Sequence, residues 1–201
     1  MDDVVIVGGG IIGVATAYFL SKEGRKVKVI ERDPTYKNAS FPLSLGGFRR
    51  QFFQKENILL GKFAKDFIFQ LPDILKTEKN PHPTASMVPN GYLLMFGPEH
   101  AEEQYRALKN HKACEAGTKN IKGSELTNIF PYINNEGIET ATFTDNKTEG
   151  WIDPFLFHAA LKSKAAELGA TFVQGEVKNL SEIKAKTIVS AAGCWTKELL
   201  D

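Results

Sequence analysis

An α/β fold, a parallel sheet built from βαβ units and interleaved with a partial α+β insertion, follows from three observations. Val4-Val5-Ile6-Val7 is a short, wholly apolar, β-branched run, the composition of a strand buried on both faces of a parallel sheet. Gly8-Gly9-Gly10-Ile11-Ile12-Gly13 follows at once and opens a helix whose apolar face continues through Val14, Ala17, Tyr18 and Leu20 until Gly24 ends it. A second β-branched run, 27–30, closes at Glu31-Arg32-Asp33 with Pro34 as a breaker, which makes residues 1–33 one compact βαβ unit.

The rhythm then changes. Residues 35–50 are irregular and rich in Ser, Pro and Gly, and Leu60, Phe63, Phe67 and Leu71 recur at helical spacing across 57–71. Residues 72–89 hold prolines and no periodicity and predict a loop, with a strand at 91–96 and a charged helix over 99–116, closed by Gly117. A short capped helix is expected at 124–129 and a strand at 140–143. After Gly150-Trp151-Ile152, Asp153 can cap and Pro154 can open a helix that Gly169 ends. Strands at 171–173 and 187–191 then restore the βα order.

Composition narrows the function. Of 201 residues 42% are hydrophobic and 24% charged, enough for a sizeable core, and the net charge of +1 gives no bulk field for nucleic acid. Cys114 and Cys194 lie far apart with no metal-ligand spacing around them, so neither a disulfide framework nor a zinc site is expected, and a reducing compartment fits. No stretch reaches the length of a transmembrane segment, and Asp2 and Asp3 stand where a basic leader would. Specific small-molecule chemistry is the remaining expectation.

The glycine run carries that chemistry. Directly after a buried strand and at the head of a helix, Gly8 permits the tight turn, Gly10 lets backbone approach a pyrophosphate, and Gly13 lets helix and sheet pack closely. The N–H groups of Ile11 and Ile12 supply the positive helix end, and Glu31, at the end of the next strand, can accept from both hydroxyls of an adenosine ribose. A dinucleotide is thus expected in a Rossmann-like domain. An NAD domain normally continues with a third parallel strand soon after the second, whereas residues 34–170 intervene here, the pattern of a substrate domain inserted into an FAD-binding domain.

On these motifs, together with Ala39-Ser40, Gly46-Gly47, Gly150-Trp151-Ile152-Asp153-Pro154 and Ala191-Ala192-Gly193-Cys194-Trp195-Thr196, the chain resembles the D-amino-acid oxidase (DAO) family of FAD-dependent oxidoreductases. Within it, Glu31-Arg32-Asp33-Pro34-Thr35-Tyr36, Leu45-Gly46-Gly47-Phe48-Arg49-Arg50-Gln51-Phe52, Glu56-Asn57-Ile58, Gly91-Tyr92-Leu93-Leu94 and Gln174-Gly175-Glu176-Val177 are similar to a mitochondrial flavoprotein group associated with assembly of respiratory complex I.

The resemblance implies roles for particular residues. Gly8, Gly10, Ile11, Ile12, Gly13, Glu31 and Arg32 belong to the cofactor loop and strand end, and Ala39, Ser40, Ser44, Leu45 and Gly46 to the segment along pyrophosphate and ribityl. Val177 matches the position whose backbone holds adenine, and Ala192, Gly193 and Trp195 the turn beside the dinucleotide. Arg49 is the candidate cation for the flavin ring or a substrate carboxylate. Cys194 is expected as a small buried filler, Trp151 and Trp195 as packing anchors, and His82, His100, His111 and His158 in surface roles.

The implied domains are 1–75 with 150–201 for FAD binding and 76–149 as part of a substrate domain. Family members continue well past the Ala191 to Thr196 motif, so weak FAD binding and no turnover are expected of these 201 residues alone. The implied reaction removes hydride from a carbon bearing an amine, in an amine or amino-acid substrate, to flavin N5. The alternative is a mitochondrial flavoprotein that binds assembly partners of complex I.

Overall fold

The computed structural model of the chain describes residues 2–144 and 147–200. They divide into two compact units, one of residues 2–46, 71–86 and 153–200, the other of residues 47–70, 87–144 and 147–152. The sequence drew its breaks at 75/76 and 149/150.

The first unit is built on a four-stranded parallel sheet. Strands β1 (Asp2–Val7), β2 (Val27–Glu31), β8 (Thr171–Gln174) and β9 (Ala185–Ser190) lie in the order β8-β2-β1-β9. Val4 pairs with Val27 and with Thr187, and Lys28 with Thr171, so all four strands point their C-terminal ends the same way. Val4, Val5, Ile6 and Val7 are all buried, and Ile6 and Val29 are wholly so, as the β-branched runs require. Helix α1 (Ile11–Lys22) crosses from β1 to β2 and packs on α5 (Pro154–Glu167) through buried Val14, Ala17 and Tyr18 on one side and Ala160, Leu161 and Ala165 on the other. The Asp153 carboxylate accepts from the Phe155 and Leu156 N–H groups at 2.8 and 3.0 Å, and Pro154 occupies the first turn, as expected.

The second unit centres on an antiparallel sheet of order β4-β6-β5, made of β4 (Leu93–Phe96), β5 (Lys119–Lys122) and β6 (Thr140–Phe143). Its central strand buries Thr140, Ala141 and Thr142 completely. Thr140 bonds to Asn120 Oδ1 and the Ile121 carbonyl, and the Gln104 amide donates to the Thr142 hydroxyl. Helix α3 (Pro98–Ala113) supplies that Gln104 and buries Ala101, Ala107 and His111 along one face. A two-residue ladder joins β3 (Gly47–Phe48) to β7 (Gly150–Trp151), and α4 (Leu126–Ile129) is a single turn.

One helix departs from expectation at its end. The sequence closes the 57–71 helix before Pro72, but α2 (Lys55–Ile74) runs through it and Leu75 still bonds to the Leu71 carbonyl. An interior proline costs about 3 kcal/mol. Leu71 and Leu75 are 1% and 0% exposed, and burying two leucines contributes roughly 3–6 kcal/mol, so burial outweighs the break. The last helix, α6 (Thr196–Leu200), follows a single turn at Gly193–Trp195. No helix among the described residues is long and apolar enough to cross a membrane.

Candidate functional site

The strand ends of the first unit open onto one groove of about 350 Å³. Ligands of open parallel sheets collect at the C-terminal strand ends, because that is where the βα turns diverge. Each strand contributes: Gly8 and Gly10 after β1, Glu31 to Asp33 at the end of β2, residues 175–178 after β8, and Ala191, Ala192 and Gly193 after β9. The segment 38–41 and Trp195 also belong to the lining.

The three glycines do different work. Gly8 has φ 103°, where a side chain is strained, and a Cβ there would strike the Ala191 carbonyl; a Cβ on Gly13 would strike the carbonyl of Gly8. Both are needed for close packing of turn, helix and sheet. Gly10 has φ −65°, open to any residue, and a Cβ would meet nothing within 4 Å, because it would stand in the groove that Gly10 lines. Beside it, Ile11 and Ile12 begin α1 with first-turn N–H groups that have no intrahelical acceptor.

Glu31 is held by backbone. The Gly9 N–H donates to its Oε2 at 2.6 Å and the Asp33 N–H to its Oε1 at 2.8 Å. Each oxygen keeps a second lone pair for a ligand hydroxyl. The Thr35 hydroxyl and the N–H groups of Thr35 and Lys37 hold the Asp33 carboxyl below the usual carboxylate range. Arg32 lays its guanidinium 4.2 Å from the Trp195 ring centroid, with Glu176 Oε1 4.0 Å away.

Gly8, Gly10, Ile11, Ile12, Glu31, Arg32, Ala39, Ser40, Val177, Ala192, Gly193 and Trp195 all line this groove. Gly13 packs behind it. Ser44, Leu45 and Gly46 lie outside its lining: after the turn Phe41–Leu43, Ser44 accepts from the Gly46 N–H at 3.0 Å and Leu45 is 92% exposed. Arg49 belongs to the second unit, where it stacks 4.8 Å over Phe52 and lines a separate cavity of about 320 Å³ with Gln51, Leu93, Leu94 and His111.

The residue pattern of the DAO family, described as FAD dependent oxidoreductase, matches positions 3–201. The chain belongs to the DAO family. It is 36% identical to FAD-dependent oxidoreductase domain-containing protein 1 of Bos taurus over 181 residues, covering 88% of this chain and 37% of that protein. The Xenopus laevis protein of the same name is 37% identical over 196 residues, 94% of this chain and 38% of its own length. This chain therefore spans little more than a third of these relatives. Among solved structures, L-proline dehydrogenase from P. horikoshii superposes with a TM-score of 0.81 at 26% identity, over 98% of this chain and 54% of that one. Glycine oxidase from Geobacillus kaustophilus, with a TM-score of 0.79 at 21% identity over 98% and 57%, shares the fold.

Against this DAO framework three sequence expectations fail. Cys194 is exposed, because the turn after β9 swings it outward. His111 is buried on α3 with its Nε2 2.8 Å from the Phe52 carbonyl, and His158 is buried on α5 with its Nε2 2.8 Å from the Gly9 carbonyl. Neither has a surface role, and neither partner is near in sequence. Tyr36, Asn38, Phe41, Lys178, Glu198 and Leu199 also line the groove without having been expected as cofactor contacts. Tyr36 stands in the Glu31 to Tyr36 motif and Phe41 starts the phenylalanine-rich stretch 41–69, so these two left a signal.

Burial holds His158 below its ordinary value of 6.5, opposed by the bond to Gly9. Lys162 lowers it further and Glu31 raises it. Below pH 6.5 the unfolded chain takes up this proton before the folded one, so His158 contributes stability that is complete above that pH and lost as pH falls beneath it. The melting temperature should therefore fall between pH 7 and pH 5, and His158→Gln should flatten the slope. Asp3, Asp33 and Glu167, also lowered, start from 3.8, 3.8 and 4.5 and act at lower pH.

Proposed function

We propose that the groove holds the ADP half of FAD and that the protein serves the oxidation of an amine or amino acid. One observation carries this reading: at the head of α1, Gly10 leaves open a space that a Cβ would fill, beside free first-turn N–H groups and within the same groove as the fixed Glu31 carboxylate. An anionic diphosphate fits the first two and a ribose diol the third.

In this reading the pyrophosphate lies over the turn of Gly8 and Gly10 and meets the N–H groups of Ile11 and Ile12, with Gly13 allowing the close packing beneath. Glu31 accepts from the ribose hydroxyls. Arg32, Val177 and Trp195 border the adenine, and Ala39, Ser40, Ala192 and Gly193 keep the groove walls small. Ser44, Leu45 and Gly46 are proposed, on the family resemblance, to follow the remainder of the cofactor. Arg49 is proposed as the cation for a substrate carboxylate, in a cavity whose other walls include apolar Leu93 and Leu94. FAD supplies hydride acceptance from the carbon that bears the amine. The chain's own residues bind and orient.

The names of similar proteins support the substrate class. L-proline dehydrogenase and glycine oxidase act on amino acids, and rat mitochondrial dimethylglycine dehydrogenase, 27% identical over 219 residues, acts on an N-methylated one. The last also supports a mitochondrial location. The test is anaerobic mixing of a purified full-length version, carrying the segment that relatives have past the Ala191 to Thr196 motif, with a panel of free and N-methylated amino acids. Bleaching of an oxidised flavin spectrum by one of them is expected. Copurification of NAD in place of FAD would overturn the cofactor assignment. A flavin-loaded protein that none of the panel reduces would overturn the enzymatic reading in favour of a flavoprotein that binds complex I assembly partners.

A further inference from the structure

We infer that His158 is a positioning residue for the groove: by holding the Gly9 carbonyl it aims the Gly10 N–H at the bound anion, and by stacking on Phe41 it fixes the 36–41 segment of the lining. This role rests on the FAD reading of the groove.

His158 is 4% exposed, and its Nε2 lies 2.8 Å from the Gly9 carbonyl oxygen. That oxygen can only accept, so Nε2 carries the hydrogen. The Gly9–Gly10 peptide is planar and trans, which points its N–H opposite to its C=O. With the carbonyl turned to α5, the Gly10 N–H is turned away from it. Gly9 is buried behind the groove while Gly10 lines it, so the same contact that anchors one residue presents the N–H of the next. Gly10 precedes the first turn of α1 and has no helical carbonyl to bond, which leaves this N–H for a ligand.

The ring's faces tie down the second segment. The His158 and Phe41 rings are stacked with centroids 4.5 Å apart and planes 10° from parallel. Tyr36 meets His158 edge-on at 4.5 Å and Phe41 at 5.6 Å, and its hydroxyl accepts from Lys162 Nζ at 3.0 Å. Tyr36 also has φ 56°, a backbone conformation that a bulky residue rarely adopts. It persists because the surrounding contacts over-determine it, and backbone strain of this kind gathers at ligand sites. One α5 side chain thus links the glycine turn to the segment holding Asn38, Ala39 and Ser40, two parts of the groove that the sheet alone does not connect.

The experiment compares FAD dissociation constants of the full chain with His158, His158→Leu and His158→Gln, alongside hydrogen exchange of the flavin-free proteins. Leucine fills the space without a donor; glutamine keeps an N–H for Gly9. The leucine variant should bind FAD on the order of tenfold more weakly, and glutamine should recover most of that loss. Peptides covering 8–12 should exchange faster in the leucine variant, with 171–174 unchanged. If His158→Leu does not fold, His158→Asn, too short to reach Gly9, gives the same comparison with glutamine. Wild-type protein that binds FAD, with a leucine or asparagine variant matching it in affinity and loop exchange, overturns the role of His158. Wild-type protein that takes up no FAD overturns the groove assignment and this role with it.

Discussion

In a full-length version, Gly10→Val is expected to abolish FAD binding while leaving the fold intact. A side chain at Gly10 meets no protein atom within 4 Å and requires no unusual backbone angle, so the substitution has little to clash with in the flavin-free protein. The valine instead fills the space over the head of α1, where backbone must come within hydrogen-bonding distance of a diphosphate. Gly13→Val makes the converse case. There a Cβ collides with the Gly8 carbonyl, a backbone atom that cannot swing aside, and the helix must separate from the turn. Flavin content after purification and thermal melting distinguish the two. Gly10→Val should purify colourless with a melting temperature like that of the flavin-free wild type, and Gly13→Val should lose stability by several degrees or fail to accumulate. A yellow Gly10→Val protein would contradict the placement of the diphosphate.

Why the glycine turn was legible and its support was not comes down to sequence distance. Residues 2–31 carry their own instructions: β-branched strands, glycine spacing and an acidic strand end are local, and each appears in the structure as read. The contacts that lock the turn are not local. His158 reaches Gly9 across 149 positions, and no periodicity on α5 marks it as other than a polar residue in a helix. Strand β5 was missed for another reason. Lys119-Asn120-Ile121-Lys122 is an edge strand, mostly exposed, so it lacks the alternation that burial imposes on a strand. Arg49 and Ser44 to Gly46 show the limit of motif reading. Their spacing identified the family segment, while the turn at Phe41–Leu43 and the pairing of Gly47 with Trp151 carry the chain out of the groove lining.

Glu149→Leu is expected to destabilise the second unit by about 3–5 kcal/mol. Glu149 is wholly buried, yet its carboxylate has four donors. The N–H groups of Arg50 and Gln51 reach Oε1 at 2.5 and 3.1 Å, and the Gln51 amide and Thr144 hydroxyl reach Oε2 at 2.9 and 2.7 Å. This one side chain therefore replaces the sheet partner that the segment after β3 lacks, and it fixes the backbone next to Arg49. Leucine would leave two buried backbone N–H groups without acceptors, each costing about 1–3 kcal/mol. Glutamine keeps one carbonyl oxygen for Arg50 and Gln51 but turns a donor toward the Gln51 amide, so Glu149→Gln should lose about 1–2 kcal/mol. Denaturant melts of the three proteins measure the order. If Arg49 binds a substrate carboxylate, Glu149→Gln should also raise KM for a carboxylate-bearing amine more than it lowers kcat, because it loosens the backbone that presents the guanidinium without touching the reacting atoms. Equal stability of the leucine variant and wild type would show that the Arg50–Gln51 turn is held by something other than the buried carboxylate.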